Sequence, residues 1–236
     1  MFKRILTFCL VLILGCFAIT AQAADRWKWY ESSSWYSCYY DTQTVEPNAR
    51  LHCARVWTKI VKDDGTLIRQ ELRFLVYDIK GVAILESVEY WDGSPHRSQN
   101  SPPIVYTVLP DSGDENLARL VAEQVGFHPM YPGGPDRWKW IHATDRYGLY
   151  VARDTLYYFG KNFAYSLWTK RVYTDGSTSY FHYFYDPDTN LIRTETSNWN
   201  SPIPDSDEEA VLHTAKALYQ ESLDRKKYKI FSPKST

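Results

Sequence analysis

The chain has 236 residues, a formal net charge of −1 at pH 7 and an aromatic content of 16%. A charge so close to zero provides no long-range field that would gather nucleic acid or an acidic membrane surface, so neither is expected as a partner. The length allows one large domain or two small ones.

Residues 1–23 have the pattern of an export signal. A short basic start precedes an apolar run, and Ala21 and Ala23 form a small-residue cleavage pattern. The run is too short for a typical membrane-spanning helix. We therefore predict cleavage after Ala23, no membrane span, and export to the periplasm, the cell surface or the medium. The alternative is a lipid anchor at Cys16, because ILGC resembles a bacterial lipobox.

The run DRWKW occurs twice, beginning at Asp25 and again at Asp136. An ungapped alignment from these two aspartates places the WTK run at Trp57 on the WTK run at Trp168, and roughly a third of the aligned positions are identical, which is typical of a duplicated unit. The predicted organisation is a signal peptide (1–23), copy 1 (24–125), a Pro/Gly linker (126–135), copy 2 (136–224) and a basic tail (225–236).

Within each copy, apolar and polar residues alternate with a period of two. The stretches LHCARVWTKIV and FAYSLWTKRVY each run into a turn with Asp-Gly, which adopts positive φ at low cost. The stretches QELRFLVYDIKGVAILESVEYW and SYFHYFYDPDTNLIRTETSNW each predict strand, turn and strand. A largely antiparallel sheet is predicted in each copy. Copy 1 has an extra segment, 92–108, for which we predict a loop and then a strand at IVYTV.

Cys38 and Cys53 remain after removal of the signal peptide. An even pair of cysteines in an exported protein predicts a disulfide. In the ungapped alignment the two cysteines fall on Leu149 and Ala164. Replacement of both by apolar residues is expected if the two positions face each other across neighbouring strands.

Each copy ends in a predicted amphipathic helix. Ser112 precedes Glu115 by three residues, and Ser206 precedes Glu209 in the same way, which is the spacing of a capping box. Apolar residues at helical spacing follow, so one side of each helix is expected to pack on the sheet. The predicted fold class is α+β, with two tandem domains, each a mostly antiparallel β-sheet with a C-terminal amphipathic helix packed on it.

The order of these segments resembles the surface-adhesin protein E family of Gram-negative bacteria. The resemblance rests on the opening tryptophan segment, the tyrosine-rich strand, the strand with WTK and the closing PDSxxE helix, and it covers both copies. It implies an antiparallel sheet with a helix on one side, a cell-envelope location, and binding of host extracellular-matrix or plasma proteins.

Catalytic motifs are not found in the sequence. None of the histidines lies in a metal motif or beside a serine or cysteine in a recognised nucleophile setting, and glycine-rich phosphate loops are absent. We therefore predict no enzyme activity, no catalytic residue, no cofactor and no metal. The histidines are His52, His96, His128, His142, His182 and His213.

The aromatic residues either fill a core or form a recognition surface. Tryptophans that recur in both copies are predicted to lie in the core: Trp27, Trp57, Trp138 and Trp168. Tyrosines present in only one copy are predicted as a binding face: Tyr30, Tyr40, Tyr157 and Tyr158.

Two functions remain. The first is a non-enzymatic exported cell-envelope protein that binds a host or neighbouring-cell macromolecule, such as an extracellular-matrix protein. The alternative is a periplasmic or secreted carbohydrate-interacting module that uses exposed aromatic residues. In both cases the expected partner is a protein or glycan at a cell surface.

Overall fold

The computed structural model describes residues 26–91, 93–100, 102–159 and 164–231, with side chains for all of these except residues 159 and 225–231. The predicted signal peptide and the lipid-anchor alternative at Cys16 lie outside the described residues. The chain divides between Met130 and Tyr131 into two compact units, here called unit 1 and unit 2.

The described residues of unit 1 form an antiparallel sheet of eight strands followed by one helix. In chain order these are β1 Trp27–Ser32, β2 Tyr36–Asp41, β3 Glu46–Asn48, β4 Cys53–Lys62, β5 Leu67–Val76, β6 Gly81–Trp91, β7 Ser94–Gln99, β8 Tyr106–Thr107 and helix α1 Gly113–Val125. The order across the sheet is β1-β2-β4-β5-β6-β7, with β3 beside β4 and β8 beside β6.

Unit 2 contains an antiparallel sheet of six strands and a longer helix. Its elements are β9 Trp138–Ala143, β10 Tyr147–Ala152, a 3₁₀ turn Arg153–Thr155, β11 Tyr157–Phe159, β12 Ala164–Tyr173, β13 Thr178–Asp186, β14 Leu191–Thr194 and helix α2 Asp207–Phe231. The order is β14-β13-β12-β10-β9, with β11 beside β12. In the described part of the chain, no helix combines the length and hydrophobicity needed to cross a membrane.

The predicted α+β class with two equivalent helix-packed domains is wrong. Strands make up 48% of the described residues and helices 18%, so the fold is mostly β and is built on two antiparallel sheets. The two helices are also unequal, with 13 and 25 residues. The sequence pattern correctly predicted where both helices begin. It did not show how small a part of each sheet one helix covers. Six adjacent strands span about 25 Å, whereas a helix is only about 10–12 Å wide.

The internal repeat is visible in the strand register. Every Cα pair between β2 and β4 recurs between β10 and β12 with both residue numbers raised by 111. Both first strands also contain a β-bulge at corresponding residues, Tyr30 and Ile141. The sequence repeat therefore corresponds to a repeat of strand pairing across the first three strands of each sheet.

Local signals placed several elements correctly. Gly65 and Gly176 have φ of 87° and 84° in the turns after β4 and β12, as Asp-Gly predicts. In the extra segment of copy 1, however, the predicted loop contains β7, and the strand predicted at IVYTV is only two residues long. All six residues of β7 are exposed, so the strand has no apolar alternation that could reveal it.

The caps of the helices depart from the predicted capping box by one residue. The Ser112 hydroxyl accepts a hydrogen bond from the Glu115 amide at 3.3 Å, as predicted. The Glu115 carboxylate accepts its bond from the amide of Asp111, at 2.6 Å, rather than from that of Ser112. The same two bonds recur at the start of α2. Asp111 has a φ of 62°, which turns its amide toward the helix.

The predicted disulfide between Cys38 and Cys53 is wrong. Both are free thiols, and each is buried. The register pairs Cys38 with Ile60, seven residues along β4 from Cys53. At about 3.3 Å per residue the two cysteines are roughly 20 Å apart, whereas a disulfide needs Cα atoms within about 7 Å. Both positions are apolar in copy 2 because each one lies in the core, and not because the two face each other.

We expect thiol labelling of the unfolded, unreduced chain, produced as residues 24–236, to find two free thiols. Reducing agent should leave its unfolding temperature unchanged, because no covalent link exists to remove. In the folded chain, labelling should be slow, since burial raises the pKa of the Cys38 thiol to about 11. A fall in the unfolding temperature on reduction would contradict the register.

Candidate ligand-binding face

Two of the four tyrosines predicted as a binding face lie in the core. Tyr30 and Tyr40 are each 1% exposed and belong to the core of unit 1, so they cannot contact a ligand. Tyr157 and Tyr158 lie in unit 2 on β11, where Tyr158 is exposed and its ring centroid is 5.3 Å from that of Tyr165. The prediction is corrected for Tyr30 and Tyr40 because a residue found in one copy only can also fill a core that differs between the copies.

The recurring tryptophans are not core residues either. Trp27, Trp57, Trp138 and Trp168 are all half-buried. On β4, the inward positions are Val56 and Thr58, which are fully buried. Alternation along the strand therefore places Trp57 on the opposite side of the sheet. The tryptophans lie on the sheet side that turns away from the buried core.

In unit 1 this side of the sheet has a cluster of three aromatic residues and one lysine. The Lys59 ammonium lies 4.4 Å from the centre of the Trp27 ring and 5.3 Å from the centre of the Tyr39 ring. Trp29, two residues along β1, is 54% exposed, and its indole N–H donates to the Ser32 hydroxyl at 2.7 Å. This hydrogen bond fixes the ring while leaving much of its surface in solvent.

Unit 2 repeats the cluster. The Lys170 ammonium lies 4.3 Å from the centre of the Trp138 ring and 5.9 Å from that of Tyr150. Trp140 corresponds to Trp29 and is 57% exposed. We call these two surfaces the Trp–Lys faces. Their residues are Trp27, Trp29, Tyr39 and Lys59 in unit 1, and Trp138, Trp140, Tyr150 and Lys170 in unit 2.

The lysines stabilise the faces only modestly. A lysine over an aromatic ring contributes about 0.5–1 kcal/mol at exposed sites. Burial lowers the pKa of Lys59, and the nearby Asp41 carboxylate opposes that shift. Asp41 itself accepts two hydrogen bonds from Arg26, at 2.9 and 2.6 Å. The corresponding residue of unit 2 is Ala152, so that face lacks the carboxylate.

The face of unit 2 continues into a stack of aromatic rings on β12 and β13. The His182 ring lies parallel to the Trp168 ring, with centroids 4.6 Å apart, and its centroid is 4.7 Å from that of the tilted Phe184 ring. His182 Nδ1 is hydrogen-bonded to Glu195 at 3.0 Å. Burial nevertheless lowers the pKa of His182, because the loss of hydration outweighs the carboxylate.

We expect unit 2 to lose stability as the pH falls below about 6.5, the ordinary pKa of histidine. The lowered pKa of His182 means that the unfolded chain binds this proton more readily, so acid favours unfolding. His182→Gln should flatten the pH dependence when it is measured by urea unfolding. The control is His213→Gln, which replaces an exposed histidine of the same unit. An equal effect of the two substitutions would contradict the prediction.

Charged clusters also lie at the start of each helix. In unit 1, Arg73 contacts Glu71 and Asp114, and the Asp114 carboxylate accepts a bond from Tyr106 at 3.1 Å. In unit 2 the Asp207 carboxylate accepts bonds from Arg171 and a tyrosine. These carboxylates are occupied by cations and hydroxyls, which indicates a structural role. In the described part of the chain, no group of three or more potential ligands is arranged to hold a metal ion.

A cleft of about 440 Å³ lies at the beginning of unit 2. Its wall is built by Arg137 and Asp154, which are joined by bonds of 3.0 Å from Nε and Nη2. The amide of Gly133 donates to the same aspartate oxygen at 2.8 Å. The pair therefore anchors the glycine-rich segment to the turn after β10, and we assign it no ligand.

Protein-family models, curated proteins and solved structures gave no match to this chain. The resemblance to the surface-adhesin protein E family therefore stays a prediction, supported by the residues quoted for it.

The sequence contained a signal for these faces that the core prediction did not use. In the run DRWKW, two tryptophans are separated by one residue, so both project from the same side of a strand. A core strand would be expected to bury both, yet Trp29 and Trp140 lie on edge strands of their sheets. The local sequence pattern does not show that these two strands lie at the edges of their sheets.

Proposed function

We propose that the chain is a non-enzymatic exported protein of the cell envelope that binds a macromolecule through its two Trp–Lys faces. The expected ligand is a component of a host or neighbouring-cell surface, such as an extracellular-matrix protein. The proposal extends the family resemblance and places the contact surface on residues common to both copies.

One observation carries the proposal. A partly exposed cluster of two tryptophans, a tyrosine and a lysine recurs in both sheets on the side away from the core. A large aromatic surface in water is energetically unfavourable unless a partner covers it, and tryptophan and tyrosine dominate the energetics of recognition surfaces. Rings already held by neighbours also lose little conformational entropy on binding.

A second candidate is carbohydrate binding through the same faces. It is favoured by the exposure of Trp29 and Trp140, because a flat, solvent-facing indole ring can stack on the apolar side of a sugar ring. Both candidates use the same residues, so one set of variants tests them together.

The test is binding of the chain, residues 24–236, to an array of extracellular-matrix proteins and immobilised glycans. We expect the double variant Trp29→Ala/Trp140→Ala to lose affinity for the bound class about tenfold or more, since aromatic anchors dominate such interfaces. Both side chains are exposed, so the fold should persist, which circular dichroism can verify.

The matched control is Trp35→Ala. Trp35 is also exposed, at 57%, but it lies in the turn between β1 and β2 and packs its ring edge-on against Tyr36, outside the Trp–Lys face. This variant should bind as the unchanged chain does. Equal losses for Trp35→Ala and the double variant, or no loss for the double variant, would contradict the proposal.

A further inference from the structure

The charge of the Trp–Lys faces restricts the ligand, an inference that rests on the proposed function. Each face has a lysine, Lys59 or Lys170, and in unit 1 the Arg26 guanidinium also lies 5.9 Å from the centre of the Trp27 ring. The carboxylate near Lys59 belongs to Asp41, which is 1% exposed and bonded to Arg26. In unit 2 the equivalent position is Ala152. The lysines therefore give both faces positive charge, which complements an anionic group.

The shape of the faces fits a ring better than an extended side chain. Trp29 and Trp140 offer flat indole surfaces that remain more than half exposed. The C–H faces of a sugar ring are apolar and flat, whereas its rim is polar. A sugar acid can therefore cover an indole ring and place its carboxylate near an ammonium group at the same time.

The repetition of the faces fits a repeating ligand. The distances from lysine to tryptophan agree to within 0.1 Å, at 4.4 and 4.3 Å, and the strand registers are the same. Two equivalent sites bind the same chemical unit twice. A polymer of identical sugars offers that unit many times, whereas a folded protein offers a given surface once.

From charge, shape and repetition together, we infer that the ligand is an acidic polysaccharide, with one sugar-acid unit bound at each Trp–Lys face. The ring of the unit stacks on Trp29 or Trp140, and its carboxylate pairs with Lys59 or Lys170. The chain then has two equivalent sites for one class of ligand.

Isothermal titration of the chain, residues 24–236, with trigalacturonate tests this inference. We expect two equivalent sites per chain and an affinity that falls as ionic strength rises from about 0.01 M to about 0.15 M, because salt screens exposed charges. Maltotriose, which has no carboxylate, is the neutral probe and should bind about tenfold more weakly or not at all.

Variants assign the sites. Trp29→Ala and Trp140→Ala should each reduce the number of sites from two to one, and the double variant should bind none. Lys59→Gln with Lys170→Gln should remove the preference for trigalacturonate over maltotriose. Trp35→Ala should keep both sites.

Absence of trigalacturonate binding, a single site, equal affinity for maltotriose, or binding that survives the double tryptophan variant would each overturn the inference. The proposed function fails separately. If the chain binds a matrix protein through Trp29 and Trp140 but does not bind trigalacturonate, only the acidic-polysaccharide ligand is wrong.

Discussion

Replacement of Arg73 by alanine is expected to destabilise unit 1 by about 3–5 kcal/mol, the usual cost of removing one partner of a buried ion pair. Arg73 donates to Glu71 at 2.9 and 2.7 Å and also contacts Asp114. The Arg73 side chain is 12% exposed and that of Glu71 is 3%. Without Arg73, the bond that the described residues leave to the buried Glu71 carboxylate is the one from Arg69, at 3.2 Å.

Hydrogen exchange measured by mass spectrometry, with peptides assigned to each unit, gives the free energy of unfolding of unit 1. The control is Arg119→Ala, which removes exposed bonds to Glu123 and Asn116 on α1 and should cost less than about 1 kcal/mol. The double variant Arg73→Met/Glu71→Gln should recover much of the loss, because it leaves no unpaired charge. A loss below about 1 kcal/mol for Arg73→Ala would show that the cluster is hydrated.

Local sequence signals predicted the parts of the fold that depend on neighbouring residues. Asp-Gly turns, the hairpins that follow them and the two serine caps depend on a few consecutive residues, and each lies where it was expected. The fold class depends on how much of each sheet a helix covers. That quantity is set by strand number and strand order, which no local pattern contains.

The main error in the prediction of the site concerned which side of each sheet faces the core. A period of two shows that Trp27 and Trp29 share a side of β1, but it does not show which side meets the core. The side that faces the core is known only once the neighbouring strands are known. In the structure, that side contains Val56 in unit 1 and Leu167 at the corresponding position in unit 2, and both are buried. Residues that recur in both copies were assumed to be structural. For this reason the tryptophans were assigned to the core and Tyr30 to the surface.

The charged clusters were not predictable from the internal repeat. The cation near the helix start comes from β5 in unit 1, as Arg73, and from β12 in unit 2, as Arg171. The carboxylate at the first helical residue also differs. Asp207 supplies it in unit 2, whereas unit 1 has Gly113 there, and a Cβ added at Gly113 would overlap the Glu31 carboxylate. The two units place similar charges in similar space from different positions of the chain.

In unit 2, Asp207 is the central carboxylate of the charged cluster at the helix start. Its removal should therefore have an effect as large as that of removing Arg73 from the unit 1 cluster. Asp207 accepts bonds from Arg171 at 2.8 and 2.7 Å and from the Tyr147 hydroxyl at 3.0 Å. Asp207→Ala leaves a partly buried guanidinium and a hydroxyl without this acceptor, and it removes an anion from the helix start. We expect a loss of about 3 kcal/mol in unit 2.

Two variants separate the sources of this loss in hydrogen-exchange measurements on peptides of unit 2. Asp207→Asn keeps an oxygen acceptor but no charge, so its loss should be smaller than that of Asp207→Ala. Glu208→Ala removes a different acid from the same turn and should cost only about 0.3–1 kcal/mol, the contribution of a charge at a helix end. If Glu208→Ala and Asp207→Ala cost the same, the helix end accounts for the effect and the bonds to Arg171 contribute little. If they differ as expected, the bonds from Asp207 to Arg171 and Tyr147 hold the start of α2 on its sheet, on the side opposite Trp138 and Trp140.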